Sequence, residues 1–291
     1  MCSPSLNVVH RWSDVNGIKL HSVEAGTGTV VLFLHGFPEF WYSWRHQIPV
    51  LAGEGFRAIA PDLRGYNQSE SPRGISSYRT NNLVADIAAF INQLGNGPVH
   101  VVGHDWGGII AWRLGAKLPE LVRTLIVLNA AHPAAYRREL LRHPSQWFKS
   151  SYVLLFQLPL VPEYFLRANS YAILERGWKR QPICEGAFTD DDINRYKQAL
   201  SKRGLTGPLN YYRAATRFSG DVFGPPQSVN VPTMVIWGER DSFMNASAND
   251  NLHTWVPNLR IRAIPNGSHW IQNDAPELVN DSLLEFIRCE S

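Results

Sequence analysis

Short apolar runs alternate with amphipathic stretches along most of the chain. Val30-Val-Leu-Phe-Leu34, Phe56-Arg-Ala-Ile-Ala60, Val99-His-Val-Val102 and Leu125-Ile-Val-Leu128 are strand-length runs without polar alternation. That pattern suits strands buried on both faces of a parallel sheet. Between them, Trp41, Trp44, Ile48 and Leu51 recur at helical spacing and predict a helix over 41–53. Leu83, Val84, Ile87, Phe90, Ile91 and Leu94 fall on one helical face, and Gly95 is placed to stop that helix. Gly108–Lys117 predicts a third helix. Residues 8–24 alternate loosely around the turn signal Asn16-Gly17 and predict a hairpin or two edge strands.

The resulting β-α-β-α-β-α-β order predicts the α/β class, with a doubly wound, mostly parallel sheet and helices on both faces. From Pro133 the strand runs stop. Residues 133–222 are rich in Trp, Tyr, Phe, Arg and Pro, with helical patches near 134–143, 162–176 and 190–201. Thr189-Asp-Asp-Asp192 has the chemistry of a helix N-terminus. Strand runs resume at Val231-Pro-Thr-Met-Val-Ile-Trp237 and Leu259-Arg-Ile-Arg-Ala-Ile264, before a closing helix from Ala275 to Cys289. The expected division is a core of residues 1–132 and 223–291, interrupted by an inserted helical cap of residues 133–222.

Composition narrows the class. The chain is 44% hydrophobic and 18% charged, enough to bury a large core. Its 28 basic and 25 acidic side chains give a net charge of +3 with the signs interspersed, so no nucleic-acid partner is expected. Cys2, Cys184 and Cys289 form no pair motif, which suits a reducing compartment. The first ten residues lack a basic, apolar leader pattern, and no apolar run approaches the ~20 residues of a membrane span. A cytoplasmic protein is expected. No metal or cofactor motif is present.

The chemistry collects at strand ends, where open α/β sheets place their ligands. Gly103-His-Asp-Trp-Gly107 sits between a strand run and a helix, the strand-turn-helix form of a nucleophile elbow. Its centre is Asp105, and a carboxylate there can attack carbon and form an ester. Asp241 follows the run at 231–237, and His269 follows the run at 259–264. The order nucleophile, acid, histidine is the triad order of α/β-hydrolases. His35 and His104 are expected to support or pack.

The chain resembles the α/β-hydrolase superfamily and, within it, the epoxide hydrolase-like branch. The resemblance runs from about residue 10 to 288. It rests on His35-Gly-Phe-Pro-Glu39, Trp41-Tyr-Ser-Trp44, Asp62-Leu-Arg-Gly-Tyr66 and Gly103-His-Asp-Trp-Gly-Gly108, with Ser151–Gln157 and Gly207–Arg213 in the insertion. It implies an α/β-hydrolase fold and a hydrolase acting on ether bonds, converting an epoxide to a vicinal diol. Asp105 is then the nucleophile, His269 the general base and Asp241 its orienting acid. Tyr152 and Tyr212 protonate the ring oxygen, with Tyr211 as the alternative to Tyr212. The backbone N–H groups of Phe37 and Trp106 form the oxyanion hole. Phe37, Pro38, Trp106, Tyr211 and Trp270 wall the substrate pocket, and the H-G-x-P turn suggests a cis bond before Pro38. The implied partners are a small apolar epoxide and water, with no cofactor or metal, in a monomer or homodimer.

Two other readings compete. A haloalkane or haloacid dehalogenase uses the same carboxylate and histidine. It needs a second halide donor, however, and Phe37 stands where such enzymes commonly carry Asn; Trp106 and Ile109 also offer no grip on an acid substrate. A non-catalytic member of the fold, binding a ligand or partner, would usually have lost the nucleophile, the base or the oxyanion turn. All three are present here.

Overall fold

The predicted hairpin forms from β1 (Val9–Val15) and β2 (Ile18–Ala25), with Asn16 and Gly17 both at positive φ in its turn. The computed structural model describes residues 7–290; Cys2 and residues 1–6, on which most of the reading of the first ten residues falls, lie outside the described residues. After the hairpin come β3 (Val30–Leu34), α1 (Gln47–Gly53), β4 (Arg57–Pro61) and α2 (Thr80–Leu94). Next are β5 (Val99–His104), α3 (Trp106–Lys117) and β6 (Val122–Leu128). Seven helices then intervene: α4 (Pro133–Arg142), α5 (Pro144–Lys149), α6 (Tyr152–Phe156), α7 (Val161–Arg180), α8 (Asp190–Arg203), α9 (Thr206–Arg217) and α10 (Gly220–Phe223). The sheet resumes with β7 (Thr233–Gly238) and β8 (Leu259–Ile264), followed by α11 (Ile271–Asp274) and α12 (Pro276–Cys289).

The eight strands form one sheet in the order β1-β2-β4-β3-β5-β6-β7-β8. β1 and β2 pair antiparallel, and β2 pairs antiparallel with β4; every other pairing is parallel. This is the α/β-hydrolase fold that the resemblance implies. β3 and β5 are buried along their whole length. Alternate residues of β3 feed two cores: Val30, Leu32 and Leu34 face one side of the sheet, and Val31 and Phe33 the other. Burial of each such side chain stabilises the fold by roughly 1.5–3 kcal/mol. Truncating Phe33, which also packs on Trp44 at 5.1 Å between ring centroids, to Ala would cost roughly 3–5 kcal/mol.

Several predicted boundaries shift, each for a local reason. The helix expected over 41–53 is a 3-10 turn at Trp41–Trp44 followed by α1. A continuous helix would bury Pro49 in its interior, where its ring collides with the preceding turn. The strand expected from Phe56 begins at Arg57, because the Phe56 N–H donates back to Leu51 O and closes α1. β7 begins after Pro232, which has no N–H for the ladder. The closing helix starts at Pro276, a residue suited to the first helical position. In the insertion, α8 starts at the N-terminus expected from Thr189-Asp-Asp-Asp192, and the structure adds a capping box between Thr189 and Asp192. α7 is broken where Asn169, Ser170 and Tyr171 take left-handed conformations, so the patch predicted at 162–176 is two helical pieces. α9 is not among the patches that periodicity predicts; Pro208 falls in its first turn, where proline costs little.

Candidate active site

The elbow forms as the sequence predicts. β5 ends at His104, α3 starts at Trp106, and Asp105 between them has φ 48° and ψ −117°. Such a conformation costs of order 1–3 kcal/mol in a non-glycine residue, which the surrounding packing supplies. The tightness explains the glycines. A Cβ on Gly107 would sit 2.0 Å from Leu34 O, and one on Gly36 would sit 2.5 Å from Asp105 Cβ.

The carboxylate of Asp105 meets two other strand ends. The Phe37 N–H donates to Asp105 Oδ1 at 2.8 Å. The Phe37–Pro38 peptide is cis. Trp106 is the first residue of α3, so its N–H has no intrahelical carbonyl to bond. From the other side, His269 Nε2 lies 3.9 Å from Asp105 Oδ2, and His269 Nδ1 is 2.8 Å from Asp241 Oδ2.

Asp241 is fully engaged. Its Oδ2 accepts from His269 and from Asn129 Nδ2 at 2.8 Å, and its Oδ1 accepts from the N–H groups of Phe243 (2.7 Å) and Met244 (3.0 Å). Burial alone would raise its pKa; the His269 charge and these donors outweigh that and hold the carboxyl below its ordinary range. For His269, burial disfavours the imidazolium, but Asp241 and then Asp105 outweigh it and lift the group to about 9.

Asn129 is a site residue that motif reading missed. It follows β6 with φ 42°, accepts from Gly238 N–H at 2.9 Å, and donates to Gly238 O and to Asp241. A lone Asn after a strand reads as an ordinary turn residue, so no sequence signal separates it. In the sequence Glu39 stands only as the last residue of the His35–Glu39 motif. It is buried beside His104, whose Nδ1 is 2.8 Å from Glu39 Oε2 and whose Nε2 is 2.9 Å from the carbonyl oxygen of His269. Burial opposes the Glu39 charge, while His104 and the Ser43 hydroxyl stabilise it and lower its pKa. His35 is held as a neutral ring, its pKa lowered by burial; Nε2 accepts from Leu63 N–H and Nδ1 faces Gly36 O.

A cavity of about 320 Å³ opens above the elbow. Asp105, Trp106 and Ile109 come from the sheet side, and Tyr152, Val153 and Tyr212 from the insertion. It continues toward Val222 and Phe223, and its walls are mainly apolar. Tyr212 is buried and Tyr152 half-buried. Burial first, then the Asp105 charge on Tyr152, and Tyr152 and Asp105 on Tyr212, push their pKa values well above 10. They are neutral donors at neutral pH.

Four residues expected in the pocket wall stand behind it. Tyr211 turns away: its hydroxyl donates to Arg64 O at 2.8 Å, and its ring packs against Trp106 and Tyr66. Consecutive residues of α9 diverge by about 100°, so only one of Tyr211 and Tyr212 can face the cavity. The Phe37 ring is wedged between Phe156 and Tyr212, Pro38 follows it across the cis peptide and is not among the residues that line the cavity, and Trp270 packs on His269 and Phe243.

Comparisons with known proteins agree with this architecture. Residues 29–276 match the family model described as alpha/beta hydrolase fold. The chain is 41% identical over 280 residues to the AB hydrolase superfamily protein YfhM of Bacillus subtilis, covering 94% of this chain and 96% of that protein. It is 37% identical to mouse (Mus musculus) epoxide hydrolase 4, covering 95% of this chain and 78% of the relative. A crystal structure of Bacillus megaterium epoxide hydrolase in complex with an inhibitor superposes with a TM-score of 0.88 at 32% identity, covering 96% of this chain and 100% of that one. The chain belongs to the α/β-hydrolase family. Within that family it is an epoxide hydrolase-like protein, and its activity is that of a hydrolase.

Proposed function

We propose that the protein hydrolyses an apolar epoxide to a vicinal diol through a covalent ester on Asp105. The observation that carries this reading is the shared cavity: it has the Asp105 carboxylate on the sheet side and two un-ionised phenols, Tyr152 and Tyr212, on the insertion side. In this reading residues 133–222 form a cap that supplies the acid, while residues 1–132 and 223–291 supply the nucleophile and base.

In the first half-reaction an Asp105 oxygen attacks an epoxide carbon. The ring C–O bond breaks, and a phenol gives its proton to the developing alkoxide, which is more basic than a phenolate. Positioned proton transfer of this kind is worth roughly 10²–10⁴-fold in rate. In the second half-reaction water attacks the Asp105 ester carbonyl and gives a proton to His269. The Phe37 and Trp106 N–H groups hold the oxyanion, each contributing about 3–4 kcal/mol in comparable sites. Collapse regenerates Asp105 and releases the diol; one proton of water ends on the departing hydroxyl and the other on His269, while the phenolate takes back the proton that His269 carried at rest.

The charge balance also times the base. While Asp105 is ionised it helps keep His269 protonated; once Asp105 is esterified that charge is gone, the His269 pKa falls, and the ring gives its proton to the phenolate and can then accept one from water. The apolar walls favour an apolar, aryl or alkyl, epoxide over a charged one. The test is to incubate the protein with an aryl epoxide and, separately, a bromoalkane, measuring diol and halide. Diol release without halide is expected; halide release alone would make it a dehalogenase and refute the proposal.

A further inference from the structure

The inserted helices α4–α7 present an outer face of unusual composition. Leu141, Phe148, Leu154, Leu160 and Tyr164 are exposed by 76, 80, 70, 76 and 75%. Trp147 and Phe165 are exposed among them. These residues lie on consecutive elements, α4 packing on α5 and α6 on α7. Scattered exposed apolar residues are ordinary, but a concentration of large ones on a single run of short helices marks an interaction surface.

Charge says what the partner is. Residues 137–180 hold eight basic and three acidic side chains, a net of +5, whereas the whole chain, with 28 basic and 25 acidic, is only +3. The acidic groups are not available on this surface. Glu139 and Glu163 are buried, and Glu175 is ion-paired with Lys179 and Lys197. Arg137, Arg142, Arg167, Arg176 and Arg180 are exposed, and none has a carboxylate of the described residues within ion-pair distance. A second copy docking by a two-fold axis would set these guanidinium groups against their own kind. An anionic lipid surface satisfies both features: leucine and aromatic side chains enter the headgroup boundary, tryptophan and tyrosine favour that depth, and arginines meet the phosphates.

We infer that the α4–α7 face docks the protein onto anionic membrane surfaces. Among the described residues no helix is long and apolar enough to cross a membrane, so the contact is peripheral. The face also adjoins the cavity. Leu140 and Val153 line the cavity, while their neighbours Leu141 and Leu154 point outward. Docking therefore holds the cavity wall at the lipid boundary, where apolar molecules concentrate.

The inference is tested by sedimentation with phosphatidylcholine vesicles and with vesicles doped with phosphatidylglycerol, at low and high salt. The protein is expected to pellet with the anionic vesicles and not with the neutral ones, and salt should weaken the binding. The double variant Arg142→Glu/Arg167→Glu should lose about tenfold or more in vesicle affinity. The triple variant Phe148→Ser/Leu160→Ser/Phe165→Ser should lose the salt-resistant part of the binding. Both variants should keep wild-type turnover of a small water-soluble epoxide, because none of these residues lines the cavity. The read-out is vesicle binding, so it stands or falls independently of the catalytic reading. Equal partition to neutral and anionic vesicles, or binding that these variants leave unchanged, would overturn it. So would a protein that stays off vesicles while the triple variant converts a solution dimer to a monomer, which would make the face a self-contact.

Discussion

His269 Nε2 stands 3.9 Å from Asp105 Oδ2, within reach of charge but beyond a hydrogen bond. Two members of a triad that act in one proton transfer would normally touch. Here the separation suits a base that takes its proton from water and not from the nucleophile. In the proposed mechanism a carboxylate nucleophile has no proton to lose, so His269 works only after the ester exists.

Replacement of His269 by Gln is therefore expected to leave the alkylation step and stop hydrolysis. With an aryl epoxide the variant should consume about one equivalent, and intact-mass measurement should show the enzyme heavier by the mass of the epoxide. Normal turnover with no adduct would mean that His269 is not the base.

Phenylalanine at Tyr152 or Tyr212 removes one proton donor from the neutral phenol pair that shares the cavity with Asp105. Tyr152→Phe or Tyr212→Phe should slow the alkylation rate by roughly 10²-fold, with the double variant near the limit of detection. Single-turnover mixing resolves this step from ester hydrolysis, which should change little. Tyr211→Phe is the control. It loses the bond to Arg64 O and should cost about 1 kcal/mol of stability, with little effect on rate.

Asn129 acts through Asp241. Asn129→Gly accepts the positive φ but deletes the bonds to Asp241 and to both backbone groups of Gly238. Destabilisation of roughly 1–3 kcal/mol is expected. A positioning role also predicts slower ester hydrolysis, by about tenfold, and a shifted pH profile for that step with alkylation preserved. Lower stability with an unchanged profile would make the residue purely structural.

The His269–Asp241 pair fixes a pH signature. His269 is raised from 6.5 to about 9 on folding, so its contribution to stability is complete below 6.5 and is lost as pH rises through about 9. Asp241 is lowered from 3.8, so its contribution is present above 3.8 and is lost as pH falls through its native value. The His269 part amounts to at most about 3 kcal/mol. Denaturant titrations at pH 6.5 and 9.5 should differ in this direction, and the difference should shrink in His269→Gln. An unchanged difference would assign it to other groups.

Much of this was legible in the chain itself. The strands buried on both faces, the Asn16–Gly17 hairpin and the α2 stop at Gly95, which takes φ 68°, each carry a local signal that the fold respects. The elbow is legible because only small residues fit against Leu34 O and Asp105. What escaped depends on distance in sequence or on helix phase. Asn129 meets Asp241 across 112 positions, and Glu39 meets His104 across 65. Tyr211 and Tyr212 are chemically identical, and only the phase of α9 separates the one that faces the cavity from the one that holds Arg64 O. The break in α7 at Asn169–Tyr171 likewise has no apolar period to announce it.

The central claim is that water attacks the enzyme ester and never the epoxide. A single turnover in ¹⁸O-water, with enzyme in excess over an aryl epoxide, tests it directly. Label is expected in the peptide carrying Asp105, with an unlabelled diol, because the new hydroxyl oxygen comes from the carboxylate. Label in the diol, with none in Asp105, would contradict it.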